Sequence, residues 1–277
     1  IVKSYREIKK KEKLKENCKK AIGEFNKDPM IKRVSLSDPE CGMMKNKKGF
    51  FELDYNPQLT VDSKNQIILA NDVCQDRTDT FQLQPQIKNV RENITLKEDT
   101  KIVADCNYNN GENLNFLENE KLNGFIPTIA QAQKLDDKKQ KKEDEYKYDE
   151  DKDEIILNGT RLKFHAMWKH RGDKKQRWYK SEDGKIVKRV PEFFRERRRM
   201  KKKLETQEGK QTYSLRKTIV ELVIGNIKYN LGFTEFRVRG LDGAKLELNI
   251  ASISYNLKKI WIARGKIDYN NKVLFFE

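Results

Sequence analysis

Two carboxylates carry the chemical interest of this chain. Asp105 closes the short apolar run Lys101-Ile-Val-Ala-Asp105, which reads as a buried strand. The carboxyl end of such a strand is where open α/β sheets place ligands and catalytic groups. A carboxylate buried there needs a metal ion or a hydrogen-bond donor to offset its desolvation. With Asn107 and Gly111 close by, Asp105 reads equally well as a turn or helix-capping aspartate. Glu221 lies within the helical run Tyr213 to Tyr229, almost opposite the arc centred on Ile219 and Val223. Lys217, four residues earlier, offers it a plain surface ion pair. If the Glu221 edge of its helix faces the end of the Asp105 strand, the two can hold part of a two-cation site. Hard cations about 4 Å apart activate a water or a 3′-hydroxyl and stabilise the leaving oxygen of a phosphodiester. A third carboxylate normally bridges the two ions.

Phosphodiester chemistry needs a grip on a polyanion, and the charge is suited to one. The 277 residues hold 59 Lys and Arg against 43 Asp and Glu, a net charge of +16. DNA or RNA is the expected partner, set against a simple bias toward lysine in exposed loops. Basic runs occur at Lys9 to Lys13, Lys45 to Lys48, Lys138 to Lys142 and Arg195 to Lys203, with Arg237 and Arg239 further on. Arg195, Arg197, Arg198, Arg199, Lys201, Lys202 and Lys203 form the densest cluster, and many cations on one helix favour phosphate contact. A solvated helix is the plainer reading. Trp168, Trp178 and Tyr179 can stack on an exposed base or serve as the core of a small hairpin unit.

The same counts exclude other classes. Two histidines, His165 and His170, are too few for a three-histidine metal site. Cys18, Cys41, Cys74 and Cys106 form no Cys-x-x-Cys pair, which argues against a zinc knuckle and for a reducing interior. No run approaches the roughly 20 apolar residues of a membrane-spanning helix, so no membrane partner is expected. The first residues do not form a signal peptide.

The elements that must position these residues follow from periodicity. Residues 1–27 carry one weak helical stripe, ended by Asp28-Pro29. A loop-like stretch over 37–50 precedes alternating text from Phe51 to Val61, a turn at Asp62-Ser-Lys-Asn65, and a strand from Ile67 to Val73, together an antiparallel hairpin. Phe81, Leu83, Ile87 and Val90 predict a covering helix, and Asn113 to Glu120 another, before a short strand over Gly124 to Pro127. This alternation is an α/β pattern around a mixed sheet. Residues 131–154 read as a charged linker and 155–190 as small hairpins, with Pro191 opening a basic helix near residue 192. Leu215, Ile219, Leu222, Val223 and Ile227 share one side of the next helix. Leu246 to Ile262 form a second amphipathic run, after the basic connector Gly232 to Gly240. The expected organisation is a charged helical spacer (1–36), a first core part (37–130), a linker with an inserted basic subdomain (131–210), and C-terminal helices (211–277).

Three segments resemble a known family. Tyr55-Asn-Pro-Gln-Leu-Thr-Val-Asp-Ser-Lys-Asn-Gln-Ile-Ile-Leu-Ala-Asn-Asp-Val73 is similar to a hairpin of prokaryotic insertion-sequence transposases with a DDE site, the group tied to IS1182 and IS4-like elements. Val103-Ala-Asp-Cys-Asn-Tyr-Asn-Asn-Gly-Glu-Asn-Leu114 resembles the second-aspartate motif of that family. Tyr213 to Phe233, continued by Phe236-Arg-Val-Arg-Gly-Leu241 and Ala251-Ser-Ile-Ser-Tyr-Asn-Leu257, resembles its catalytic-glutamate helix and the helix after it. The resemblance spans about 37–129 and 211–260.

It implies an RNase H-like mixed sheet flanked by helices, with an inserted subdomain before the final catalytic helix. It also implies that Asp105 is the second catalytic carboxylate and Glu221 the third, that Mg²⁺ or Mn²⁺ is used, and that DNA ends are nicked and their 3′-hydroxyls transferred to a target. A homodimer or larger synaptic assembly, in the prokaryotic cytoplasm and on the nucleoid, would be the setting. Two departures set expectations apart from the family. The Asp-Gly-Thr-Lys-like strand carrying its first aspartate has no counterpart here, so an N-terminally truncated chain lacking the first sheet strand is expected. Asp54, Asp62 and Asp72 fall in the hairpin and make poor substitutes. Residues 130–210 also lack the cysteines that many relatives carry, and Asn107 replaces a usual glycine. Incomplete strand cleavage and transfer is thus the leading expectation, and a noncatalytic DNA-binding relic or domesticated relative the alternative.

Overall fold

The chain is a mixed α/β protein. The computed structural model describes residues 2–27, 33–45, 49–133, 146–169 and 175–271, with side chains described for 6–264 of these. It comprises two compact units, residues 1–96 with 216–277, and residues 97–215.

In the first unit, helix α1 (Val2–Lys27) takes the expected stripe, while Asp28-Pro29 lies outside the described residues. Strands β1 (Gly42–Lys45) and β2 (Phe51–Asp54) pair antiparallel. Only the second half of the predicted alternating run enters the expected hairpin: β3 (Asn56–Val61) pairs antiparallel with β4 (Ile68–Cys74), with Gln58 opposite Asp72, while Phe51 to Asp54 pairs with β1 inside the stretch expected to be loop. Asp62 is the turn residue expected: its Oδ2 accepts from the Asn65 N–H at 2.7 Å. Helix α2 (Leu83–Asn93) packs on β4 through a face that buries Leu83, Ile87 and Val90, a 3.6-residue rhythm.

Helix α7 (Leu241–Asn271) packs on β4 as well. Its buried Ala244, Leu248, Ala251 and Tyr255 recur on one side. Ala251 and Tyr255 join Ile68, Val223 and Ile227 in one cluster, and Ala244 and Leu248 join Tyr55 and Val73 in another. Burying each large side chain contributes about 1.5–3 kcal/mol, so these clusters hold α7 to the hairpin.

In the second unit, β5 (Lys101–Val103) and β6 (Asn123–Phe125) are parallel, joined through helix α3 (Gly111–Asn119). Parallel neighbours need such a crossover, since a tight turn can only reverse the chain. After the short α4 (Ile129–Ala132), residues 134–145 of the expected linker lie outside the described residues. Of the rest of that linker, residues 131–132 close α4 and residues 147–154 run through the first strand and turn of a sheet, a correction to the linker expected from its charge. Strands β7 (Lys147–Asp149), β8 (Glu154–Leu157), β9 (Thr160–Lys169), β10 (Lys175–Lys180) and β11 (Val187–Pro191) form one antiparallel five-stranded meander. Asn158 and Gly159 turn β8 into β9 with φ of 48° and 83°, the left-handed pair that a two-residue hairpin turn requires. Ile155, Leu162, Tyr179, Val190 and Phe194 make its core.

Pro191 closes β11 instead of opening the basic helix, α5 (Phe194–Glu205). A proline on this edge strand costs no ladder hydrogen bond inside the sheet. The corner from α5 into α6 (Gln207–Gly225) is tight. The Thr206 hydroxyl accepts from the Gly209 N–H at 3.0 Å, and a Cβ on Gly209 would meet the Lys203 carbonyl oxygen at 2.1 Å. Helix α6 ends in a π-helical turn, Asn226–Asn230, before the loop that leads to α7.

Candidate functional site

Asp105 stands beyond the end of its strand, since β5 stops at Val103. Its backbone is extended (φ −71°, ψ 164°), and its Oδ1 accepts from the Cys106 N–H at 2.6 Å, capping a 3-10 turn over Cys106–Tyr108. The asparagines that follow stitch this loop together. Asn109 donates to the Ile126 carbonyl at 2.7 Å, Asn110 caps α3 through the Asn113 N–H at 2.8 Å, and the buried Asn113 donates to the Tyr108 carbonyl at 2.9 Å. The motif Asp-Cys-Asn-Tyr-Asn-Asn-Gly is therefore a self-satisfied loop at the carboxyl end of a parallel strand. Asn107 is exposed, so the exchange of glycine there needs no buried space.

Glu221 projects from α6 with its side chain 53% exposed, on the side away from the buried Val223. The ion pair expected with Lys217 forms instead with Arg216, whose Nη2 lies 3.3 Å from Oε1. Of the five apolar residues assigned to one side of this helix, Val223 and Ile227 are fully buried, while Leu215 and Leu222 are about half exposed. Asp105 belongs to the second compact unit and Glu221 to the first.

The basic helix α5 divides by face. Arg195, Arg199 and Lys203, four residues apart, are committed within the unit. Arg195 reaches Asp153 at 2.9 Å. Arg199 is gripped by Glu118, Glu150 and Glu196, and the hydrogen bonds it donates to Glu118, first among them, hold its guanidinium firmly protonated. Lys203 donates to the Asn123 side chain and sits 4.3 Å from the centre of the Phe125 ring, where burial lowers its pKa. Arg197 and Lys202 are exposed, and Arg198 lies over the Tyr146 ring at 5.5 Å, beside the partly exposed Lys201. Arg237 and Arg239 are exposed on the loop before α7, where the Arg237 N–H donates to Glu247 at 2.7 Å.

The charge centre that pattern alone misses is Asp153. It accepts from Tyr148 Oη at 2.9 Å and Tyr179 Oη at 2.5 Å, and pairs with Arg177 at 2.6 Å as well as with Arg195. Burial pushes its carboxyl up, but the two tyrosine hydroxyls and the two guanidinium groups outweigh burial and hold it below the ordinary range. Arg177 also lies 4.3 Å from the Phe164 ring centre. Tyr179 is fully buried, so it belongs to the core and not to a stacking platform. Trp168 and Trp178 stack on each other at 5.0 Å, and Arg189 covers Trp178 at 4.2 Å. Trp168 stays half exposed. His165 is exposed, and His170 lies outside the described residues.

Among the described residues no group of three or more His, Cys, Asp or Glu side chains converges to hold a metal ion. Asp105 spends an oxygen on a backbone N–H and Glu221 faces a guanidinium, so neither brings a ready-made carboxylate cluster. The described residues do not complete a two-cation site. A groove of about 370 Å³ in the first unit is lined by five asparagines, among them Asn71, Asn89 and Asn249, together with apolar residues of β4, and by neither candidate carboxylate. The four cysteines are free thiols. Burial, then the neighbouring Asp38, pushes Cys41 up to about 11. Among the described residues, no helix is long and apolar enough to cross a membrane.

Residues 168–261 match the family described as transposase DDE domain, roughly a third of the chain. The match runs from Trp168 in β9 to Trp261 in α7, and so contains α5, α6 with Glu221, and most of α7. It takes in the third resembling segment and part of the basic region before it. The hairpin and the Asp105 motif lie outside it. No curated protein and no solved structure matches the chain.

Proposed function

We propose that this chain acts on DNA as a transposase of the insertion-sequence DDE kind, in strand cleavage and 3′-hydroxyl transfer, with Asp105 and Glu221 as its candidate catalytic carboxylates. One observation carries the reading: the match to a transposase DDE domain encloses the helix of Glu221, the same helix whose text resembles the catalytic-glutamate helix of IS1182 and IS4-like elements. The β3–β4 hairpin and the parallel β5–β6 pair are the kinds of strand pairing an RNase H-like mixed sheet would use. Asp105 lies at the carboxyl end of a strand, where such a sheet keeps its chemistry.

The outward cations Arg197, Arg198, Lys201 and Lys202, with Arg237 and Arg239, are the proposed phosphate contacts. Arg195, Arg199 and Lys203 would support that helix from behind. The partners are transposon-end and target DNA, held in a homodimer or synaptic assembly. The place of action is the prokaryotic nucleoid. Enzymes of this kind would draw on Mg²⁺ or Mn²⁺. Asp105 and Glu221 are the carboxylates that would contribute oxygen ligands to the ion.

The charge supports a second reading as well, a noncatalytic DNA-binding relative, since a net charge of +16 and the cations of α5 serve phosphate binding with or without cleavage. Strand cleavage of plasmid DNA in Mg²⁺ and in Mn²⁺, for the parent protein and for Glu221→Gln and Asp105→Asn, decides between them. Cleavage by the parent, lost in both variants with DNA binding kept, supports the enzyme. Undiminished cleavage by Glu221→Gln removes the assignment. Salt-dependent binding without cleavage selects the second reading.

A further inference from the structure

The outer face of α7 is apolar where a solvated helix would be polar. Leu246, Ile250, Ile253, Leu257 and Ile260 are spaced four, three, four and three residues apart, with Trp261 beside them. Each is 55–71% exposed, and they lie opposite the buried Ala244, Leu248, Ala251 and Tyr255. Period-seven spacing is the signature of a helix–helix seam, and here it is laid over a face the fold leaves open. Exposed apolar patches on monomers are typically a few hundred Å². Six large side chains, each more than half exposed in one unbroken stripe, approach one partner's share of a stable interface, about 800 Å².

The charges indicate what covers it. Exposed Asp242 lies toward the start of the stripe, and exposed Lys258 and Arg264 toward its end, while Glu247 and Lys259 are engaged within the chain, with the Arg237 and Val238 N–H groups and with Gln66. The only lysine near the start, Lys245, is paired with Asp72 at 2.9 Å. Ile253 is the midpoint: Leu246 and Ile260 are equidistant from it, as are Asp242 and Arg264. Two such helices laid antiparallel about Ile253 bring apolar residue to apolar residue and acid to base at both ends. Their macrodipoles also oppose. A parallel pair would set like charges together.

We propose that α7 pairs antiparallel with α7 of a second copy of this chain, with Ile253 on the two-fold axis. The choice of occupant deepens the assembly expected of a transposase and rests on that proposed function. Its test, however, reads mass and geometry, not cleavage, so the two fail separately. Sedimentation of the full chain should give a dimer, and Ile253→Asp should halve the apparent mass. The side chain is exposed, so circular dichroism of that variant should be unchanged. Under oxidation, Leu246→Cys and Ile260→Cys should cross-link when mixed and not when each is alone, with the parent as blank. A monomer at tens of micromolar would overturn the proposal and leave the face to another segment or another partner. So would a dimer indifferent to Ile253→Asp, or cross-linking of each cysteine variant by itself, which marks a parallel pair.

Discussion

Asn256 clamps the backbone of Ile68 at two points: its Oδ1 accepts from the Ile68 N–H and its Nδ2 donates to the Ile68 carbonyl, both at 2.9 Å. The two residues are 188 apart in the chain, and the clamp satisfies a strand edge that no neighbouring strand pairs among the described residues. Lys259 adds a bond to Gln66 at 2.9 Å at the same end of the hairpin. Asn256→Ala leaves both backbone groups without their partner, which costs about 1–3 kcal/mol. The urea midpoint should fall accordingly, and the Ile68 amide should exchange faster with solvent. An unchanged exchange rate at Ile68 would show that the clamp does not hold the strand.

Asp153→Asn should weaken the five-stranded sheet more than any surface change. Arg177 and Arg195 would lose their shared anion while staying mostly buried. Removing one partner of a buried pair costs roughly 3–5 kcal/mol, and the partial exposure of this one sets the expectation at the lower end. Chemical denaturation of the variant against the parent measures it.

The same residue gives an acid response of definite sign. The Asp153 carboxyl is held below its ordinary value in the folded chain. Its contribution is therefore present above the unfolded pKa, about 3.9. It is lost as the pH falls through the folded value. Parent stability measured from pH 6 to pH 2 should drop across the acid end, and Asp153→Asn should lack that share of the drop. Parallel curves for the two proteins would contradict the assignment.

The two faces of α5 should separate in mutagenesis. Neutralising Arg197, Arg198, Lys201 and Lys202 to Gln should weaken binding to many DNA sequences. It should also flatten the plot of log affinity against log salt by about 0.9 for each phosphate no longer neutralised. Arg199→Ala should instead lower the thermal midpoint, since it releases Glu118, Glu150 and Glu196 together. Fluorescence anisotropy over a salt series and a thermal melt read the two effects.

Gly209→Ala tests the corner between α5 and α6. The added methyl meets a backbone oxygen that no rotamer change can move. A loss of roughly 1–3 kcal/mol, typical of overpacking, is expected in a denaturant titration, with helix content preserved.

How much of the fold is legible in the sequence follows from how local the signals are. The β3–β4 hairpin, α2, α3 and α7 carry their own periodicity, and each stands close to where that periodicity places it. Strand β7 is hidden because charged residues surround its inward position: Tyr148 is isolated in acidic and basic text. Asn158-Gly159 is nonetheless a strong turn signal for the β8–β9 hairpin, and it is the mark by which those strands could be found. Neither the Asp153 centre nor the division of α5 can be read locally. The spacing of Arg195, Arg199 and Lys203 is visible, but their partners Asp153, Glu118 and Asn123 come from elements distant in sequence. Glu221 is legible as a residue on the polar edge of its helix, though its partner is Arg216.

The stack of Trp168 on Trp178 has an optical consequence. Two of the three indoles in the chain are close enough to couple their electronic transitions, and both sit in the five-stranded sheet. The third, Trp261, is alone and largely solvated on the last helix. The coupled pair should give a near-ultraviolet circular dichroism couplet that vanishes when the sheet opens. The emission of Trp261 should instead follow its own helix and whatever comes to rest on it. Each unit thus carries its own spectroscopic reporter, and the order in which the two melt can be read from an unlabelled sample.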